Sequence, residues 1–305
     1  ARTRHGRAMF VALHTYSFRR RFERDGQTFF DAVDWAAEHG FRGLDMMIER
    51  GDRPRPVAGL PDLAPATIER AVKHAHRRGV PVLAFSTYND FATADSGERS
   101  REAAFLRDWI RLAATCGVPR LRLLTGYYRE GRDRTEQELR TRQGIADCVA
   151  AAREANVELA LENHSSVFAT AAELTTLVRE HAPVLTLCPD PTNWVRDYFR
   201  APETNRENIY PELALAAPFA THAHLKIRGL APDADALVGF DLYRLLRILR
   251  DADFAGAIAF ESVTFDANQS GDLLADLPAA RVRVEQAITS VLGERARTTG
   301  ATEIP

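Results

Sequence analysis

Apolar residues in this chain gather into eight short runs separated by longer amphipathic stretches. The runs are FVALHT (10–15), GLDMMI (43–48), VPVLAFS (80–86), RLRLL (120–124), VELALEN (157–163), VLTLCPD (184–190), HAHLKI (222–227) and GAIAFES (256–262). Each has the length of a buried strand. The stretches between them carry helical spacing, as with Phe30, Val33 and Ala37, or Phe105, Ile110 and Ala113. Thr67, Thr135 and Thr170 each have a glutamate close behind and sit where helices are expected to start. Gly40, Gly79 and Gly117 follow helical patterns, where a left-handed residue is wanted before the next strand.

Eight strand–helix units in 305 residues predict the α/β class and a single (β/α)8 TIM barrel over residues 10–293. An open doubly wound sheet would carry a glycine-rich phosphate loop after its first strand, and the sequence has none there. Residues 1–9 read as a disordered basic leader and 294–305 as a C-terminal tail. Residues 194–211, rich in Arg, Asn, Glu and Pro, follow the sixth strand. They are expected to form a loop with a short helix that could close over the barrel mouth as a lid.

Why the apolar run opening LALENHSS (159–166) ends in the carboxylate Glu162 follows from the barrel. Side chains on a barrel strand alternate between the interior and the helix layer. With Leu159 and Leu161 outward, Ala160 and Glu162 face inward. The same phase puts Asp190 inward on the sixth strand, His222, His224 and Lys226 on the seventh, and Glu261 on the eighth. Four consecutive strands thus bring Glu162, Asp190, His224 and Glu261 to the C-terminal rim. Three carboxylates would repel one another there unless a cation lay between them. The set therefore reads as ligands of one divalent ion, with manganese, magnesium or cobalt suiting it better than structural zinc.

Composition narrows the partners. Forty Lys and Arg against 42 Asp and Glu give a net charge of −2, which favours neither nucleic acid nor an anionic membrane. No apolar run is long enough to span a bilayer, and the leader lacks the apolar segment of a secretory signal. Cys116, Cys148 and Cys188 are widely spaced in apolar surroundings, which suggests free thiols and a cytoplasmic location.

LENH (161–164), CPDPTN (188–193), HLK (224–226) and FES (260–262), with HTYSF (14–18) and YNDF (88–91), resemble the xylose-isomerase-like TIM barrels, the broad sugar phosphate isomerase/epimerase family. The resemblance runs from about Phe10 to Leu292. It implies a Glu–Asp–His–Glu site on Glu162, Asp190, His224 and Glu261, binding manganese, magnesium, cobalt or zinc. It also implies a sugar or keto-sugar substrate, proton transfer by Glu162 and Glu261, and a homo-oligomer. Ketose 3-epimerases of the family carry a Glu, a His and an Arg where this chain has Phe168, Asn193 and Leu230. In many relatives an Asp follows HLK, and here Ile227 does.

The expected function is metal-dependent isomerisation or epimerisation by removal of a proton next to a carbonyl. The alternative is a lyase or dehydratase on a keto-sugar, such as 3-keto C-glycoside cleavage, with a small second subunit. A non-catalytic sugar-binding barrel and a metal phosphodiesterase are weaker readings, although FRRRF (18–22) is locally basic. His164 is a candidate base or a loop histidine, and Lys226 steadies developing charge or is a solvated rim lysine. His222 supports His224 from below or helps bind substrate. His14, Asp45, Asn89, Arg122 and Asn193 are candidates for holding sugar hydroxyls.

Overall fold

The computed structural model describes residues 9–49, 59–227, 240–262 and 274–300. Its strands are β1 (Phe10–His14), β2 (Leu44–Ile48), β3 (Val82–Thr87), β4 (Arg120–Leu123), β5 (Glu158–Glu162), β6 (Leu185–Cys188), β7 (His222–Ile227) and β8 (Ala257–Ser262). All eight expected strands are present, with ends shifted by two residues at most. They are parallel, in the order β6-β5-β4-β3-β2-β1-β8-β7. The two outer strands meet where Leu187 bridges Ala220. There the N–H groups of Thr221 and His224 donate to the carbonyls of Leu187 (3.2 Å) and Pro189 (3.0 Å). The sheet is therefore a nearly closed barrel, which leaves no long edge exposed.

Around it lie α1 (Arg19–Arg24), α2 (Phe29–Glu38), α3 (Pro65–Arg77), α4 (Ser96–Cys116), α5 (Arg134–Ala155), α6 (Ala171–His181), α7 (Glu203–Arg206), α8 (Ile209–Ala216), α9 (Leu242–Asp251) and α10 (Leu277–Gly300). Of the three expected helix starts, Thr170 is the cap of α6, in a capping box with Glu173. The other two expectations fail. α3 starts at Pro65, whose missing N–H costs nothing in the first turn, and Asp133 caps α5 by accepting from Glu136 N–H at 2.8 Å. Gly40, Gly79 and Gly117 do take left-handed backbone, at φ 75°, 79° and 70°. α10 continues past residue 293 into the segment expected to be a tail. Residues 194–211 hold the turn Tyr198–Arg200, α7 and the start of α8. Residues 1–8 of the expected leader lie outside the described residues.

The barrel interior is filled in tiers. Ala12, Ala257 and Ala259 pack with Phe10 and Leu83 near the N-terminal end. A Cβ on Gly43 would lie 2.4 Å from Leu83 Cδ1, so any larger residue there would force that leucine to shift. Beside these small residues Arg120 bonds Glu158 at 3.1 Å and Thr186 bonds Thr221 at 2.9 Å.

Candidate functional site

Strand phase delivers the expected groups to one region. Glu162, Asp190, His224 and Glu261 are all buried, at 0%, 0%, 1% and 6% exposure; Glu162 and Glu261 lie at the ends of β5 and β8, Asp190 just beyond β6, and His224 within β7. Glu162 and Asp190 lie in one hydrogen-bonded network built through Asn193 and Lys226, while His224 bonds to Asp45. Arg122 forms an ion pair with Glu162, and Asn193 Nδ2 donates to Glu162 Oε1 at 3.0 Å. Lys226 Nζ donates to Asp190 Oδ2 and to Asn193 Oδ1, both at 2.6 Å. Lys226 also stands opposite Glu261 in the β7–β8 register. It is 7% exposed, which overturns the solvated-rim reading.

His224 stands between two carboxylates. Its Nε2 lies 2.6 Å from Asp45 Oδ2, and its Nδ1 lies 3.4 Å from Glu162 Oε2 with no hydrogen-bond partner. Asp45, expected to meet substrate, is fully buried and accepts as well from His222 Nε2 (2.9 Å) and from the Ser86 hydroxyl. It is an anchor for two histidines. His222 and His224 accordingly share one carboxylate, with His222 one inward position below.

Asn163, in the LENH motif, ties the end of β5 to Asp190, two residues beyond β6. Its Nδ2 donates to the Asp190 carbonyl (2.9 Å) and its Oδ1 accepts from Asp190 N–H (2.8 Å). The Asp190 carboxylate accepts from Thr192 N–H and hydroxyl, at 3.1 and 2.8 Å. Asn89 is likewise committed to the framework. Its Nδ2 donates to Leu124 O at 2.7 Å and its Oδ1 accepts from Leu124 N–H at 2.9 Å. Both polar atoms of the Asn89 amide thus take part in joining the ends of β3 and β4.

Burial and charge divide the ionisable groups. Burial alone would raise Glu162, but Arg122 and His224 outweigh it and hold the carboxyl well below the usual range. Glu261 is raised by burial, which the Lys226 charge opposes and the charges of Glu162 and Asp190 reinforce. Burial disfavours charge on Lys226, but Asp190 and Glu261 raise it. His224 is raised well above an ordinary imidazole, since the groups around it, Cys188, Glu162 and Asp45, outweigh its burial.

His164 sits in the loop after β5, in a wall the sequence reading did not anticipate. Burial lowers its pKa to about 4. Tyr127 Oη is 2.9 Å from His164 Nδ1 and 3.2 Å from the His164 carbonyl. The phenol has one proton, and a carbonyl can only accept. Satisfying both contacts places the phenol proton on the carbonyl and the imidazole proton on Nδ1, leaving the lone pair on Nε2. Tyr88 meets His164 edge to face at 5.5 Å and lies under the Arg122 guanidinium at 5.4 Å. Gly126 holds this wall tight. At φ 124°, a Cβ there would lie 2.4 Å from Asp90 Oδ1, which accepts from Tyr127 N–H at 3.2 Å. YNDF contains Tyr88, but nothing in the sequence linked Tyr127 to His164.

His14 is buried beside His224, with ring centroids 4.8 Å apart. Its Nδ1 accepts from Tyr16 N–H at 3.2 Å, and burial keeps the ring neutral, with a pKa lowered to about 3. Nε2 then carries the proton, and that buried N–H has no partner.

A divalent ion fits these residues. Buried Asp45, Glu162, Asp190 and Glu261 outnumber the permanent cations Arg122 and Lys226, and a doubly charged ion beside a neutral His224 would restore the balance. The donors are hard carboxylate oxygens plus one imidazole nitrogen that is buried and unpartnered. Asp45 holds the opposite ring nitrogen, as carboxylates behind metal-bound histidines do. Among the described residues, the groups whose ligand atoms lie within 4.8 Å of one another are nevertheless different ones: His14, Asp45 and His224, and Cys188, His222 and His224. Of the expected four, Glu162 and Asp190 are joined through Asn193 and Lys226 instead.

The fold recurs in solved structures. An L-ribulose 3-epimerase is 18% identical with a TM-score of 0.69, over 97% of this chain and 99% of that one. A 3-keto-D-glucoside 4-epimerase from E. coli is 13% identical with a TM-score of 0.65, over 92% and 99%. A xylose isomerase-like TIM barrel protein from Mycobacterium smegmatis, solved with magnesium, is 15% identical with a TM-score of 0.65, over 96% and 100%. At these identities the likeness establishes architecture. No curated protein matches the sequence. Among the described residues, no helix is long and apolar enough to cross a membrane. The family described as xylose isomerase-like TIM barrel matches residues 33–280, so the eight-stranded barrel with its acidic mouth belongs to that family.

Proposed function

We propose that the protein is a divalent-metal-dependent isomerase or epimerase of sugars, working by proton transfer next to a carbonyl. The observation that carries this is the convergence of Glu162, Asp190, His224 and Glu261 from four successive strands, buried, with more negative charge than Arg122 and Lys226 offset. These four would hold the ion, manganese in first place, with magnesium or cobalt also suited to the donors. When bound, such an ion polarises a substrate carbonyl and makes the hydrogen on the neighbouring carbon more acidic. The names of the epimerases that share the fold support a sugar substrate.

The protein groups divide the remaining work. Glu162 is pinned by Arg122 and Asn193, which keeps it ionised and oriented. The Glu261 side chain makes no hydrogen bond among the described residues, and burial makes it more basic than an ordinary glutamate. It is the group assigned to take the proton. Lys226 is placed to offset charge developing on a substrate oxygen, and the His14 Nε2–H is a neutral donor to a hydroxyl. Asn193 bridges Glu162 and Lys226 at the position where ketose 3-epimerases carry histidine, so this reading does not extend to free-ketose 3-epimerisation.

A second reading, elimination from a 3-keto sugar, draws on His164. Tyr127 presents its Nε2 lone pair on a neutral ring, as a base acting on a substrate hydroxyl requires. One experiment addresses both. Protein stripped by chelation and reloaded with magnesium is offered ketoses, inosose and 3-keto-glucosides in deuterated water, and NMR follows hydrogen next to the carbonyl. Exchange that needs metal and disappears in Glu261→Gln is expected, and the product separates epimerisation from elimination. Full exchange in the chelated protein or in Glu261→Gln would refute the proposal.

A further inference from the structure

Below the oxygen-rich set lies a second group of donors. Cys188, His222 and His224 are buried, at 0%, 0% and 1% exposure, and offer ligand atoms within 4.8 Å of one another. Cys188 stands beside Glu162 in the β5–β6 register, and His222 is one inward position below His224 on β7. Both imidazoles commit Nε2 to Asp45, at 2.9 and 2.6 Å. Both leave a buried Nδ1 with no hydrogen-bond partner. A single carboxylate thus fixes the orientation of two rings and directs both Nδ1 atoms away from itself. Two unsatisfied nitrogens in a barrel interior are costly unless something binds them.

We propose that Cys188, His222 and His224 form a second metal site, selective for a thiophilic ion of the zinc class. One sulfur and two imidazole nitrogens are a borderline-to-soft donor set, unlike the carboxylates above it. Asp45 is the outer carboxylate that holds both histidines in the binding tautomer. Binding displaces the proton of the Cys188 thiol and the Nδ1 proton of the His224 ring, and both are released to solvent. The other group of suitable spacing, His14, Asp45 and His224, does not serve. Tyr16 N–H occupies Nδ1 of His14, which puts its proton on Nε2 and leaves no lone pair there. With His224 Nε2 held by Asp45, its Nδ1 serves one donor set or the other. An ion in the lower site therefore withdraws His224 from the upper one.

The test is optical and needs no substrate, so it stands or falls separately from the proposed activity. Chelated protein is titrated with cobalt(II), and the near-ultraviolet thiolate-to-cobalt charge-transfer band is recorded for wild type, Cys188→Ser, Cys116→Ser and Glu261→Gln. The band is expected in wild type, Cys116→Ser and Glu261→Gln, and is lost in Cys188→Ser. Cobalt binding without the band, or a band that survives Cys188→Ser, overturns the proposal. Should Cys188→Ser fail to fold, His222→Gln keeps the thiol and removes one nitrogen. It is expected to weaken zinc binding by about tenfold or more, and unchanged affinity overturns the site.

Discussion

Removing the Arg122 side chain tests how the acidic interior is held together. Arg122 is 2% exposed and Glu162 is fully buried. The guanidinium pairs with Glu162, donates to Thr87 O at 2.5 Å and covers the Tyr88 ring at 5.4 Å. Arg122→Met keeps much of the volume and deletes the charge. Glu162 then keeps Asn193 as a donor at 3.0 Å and loses its strongest counter-charge. Breaking one side of a buried pair costs about 3–5 kcal/mol, whereas losing exposed pairs costs about 1 kcal/mol or less. Urea unfolding followed by circular dichroism in chelator should show a loss in that larger range. Adding Glu162→Gln removes the stranded charge and should recover about 1–3 kcal/mol of it. Saturating magnesium should shrink the deficit of the single variant, because the ion shares the carboxylate. A loss below about 1 kcal/mol for Arg122→Met in chelator would refute this account of the interior. So would the absence of any recovery in the double variant.

Two further outcomes follow from particular contacts. Asn89→Ala should lower stability by about 1–3 kcal/mol, because it strands Leu124 N–H and C=O. Its KM should stay near wild type, and a large rise in KM with unchanged stability would restore Asn89 to the substrate. Thiol titration of the native protein should detect Cys116 alone. Cys116 is partly exposed, Cys148 and Cys188 are buried, and burial pushes the Cys148 thiol up to about 12. Rapid labelling of Cys148 before unfolding would contradict the packing of α5.

The strand count and phase were legible because burial on both faces leaves a local signature. A strand inside a helix layer must be apolar outward, so a polar residue at its end stands out, as Glu162 does after Leu161 and Glu261 after Phe260. Helix starts were less legible. Asp133 and Thr135 cap about equally well in isolation, and only the path of the chain into α5 selects Asp133. Asn89 looked like a sugar ligand because an amide at a strand end suits either role. Its choice of Leu124, 35 residues away, is visible only once β3 and β4 lie side by side.

By itself the sequence determined the eight strands, the inward side of each and hence which carboxylates share the mouth. These follow from a period-two pattern and from the cost of burying charge, both of which act within a few residues. What balances those carboxylates was decided only in the tertiary structure. Asp45 meets His222 and His224 at separations of 177 and 179 residues, and Tyr127 meets His164 across 37. Proton placement on a histidine depends on which partner faces each nitrogen, and barrel closure brings those partners together from strands that carry no local mark of the pairing.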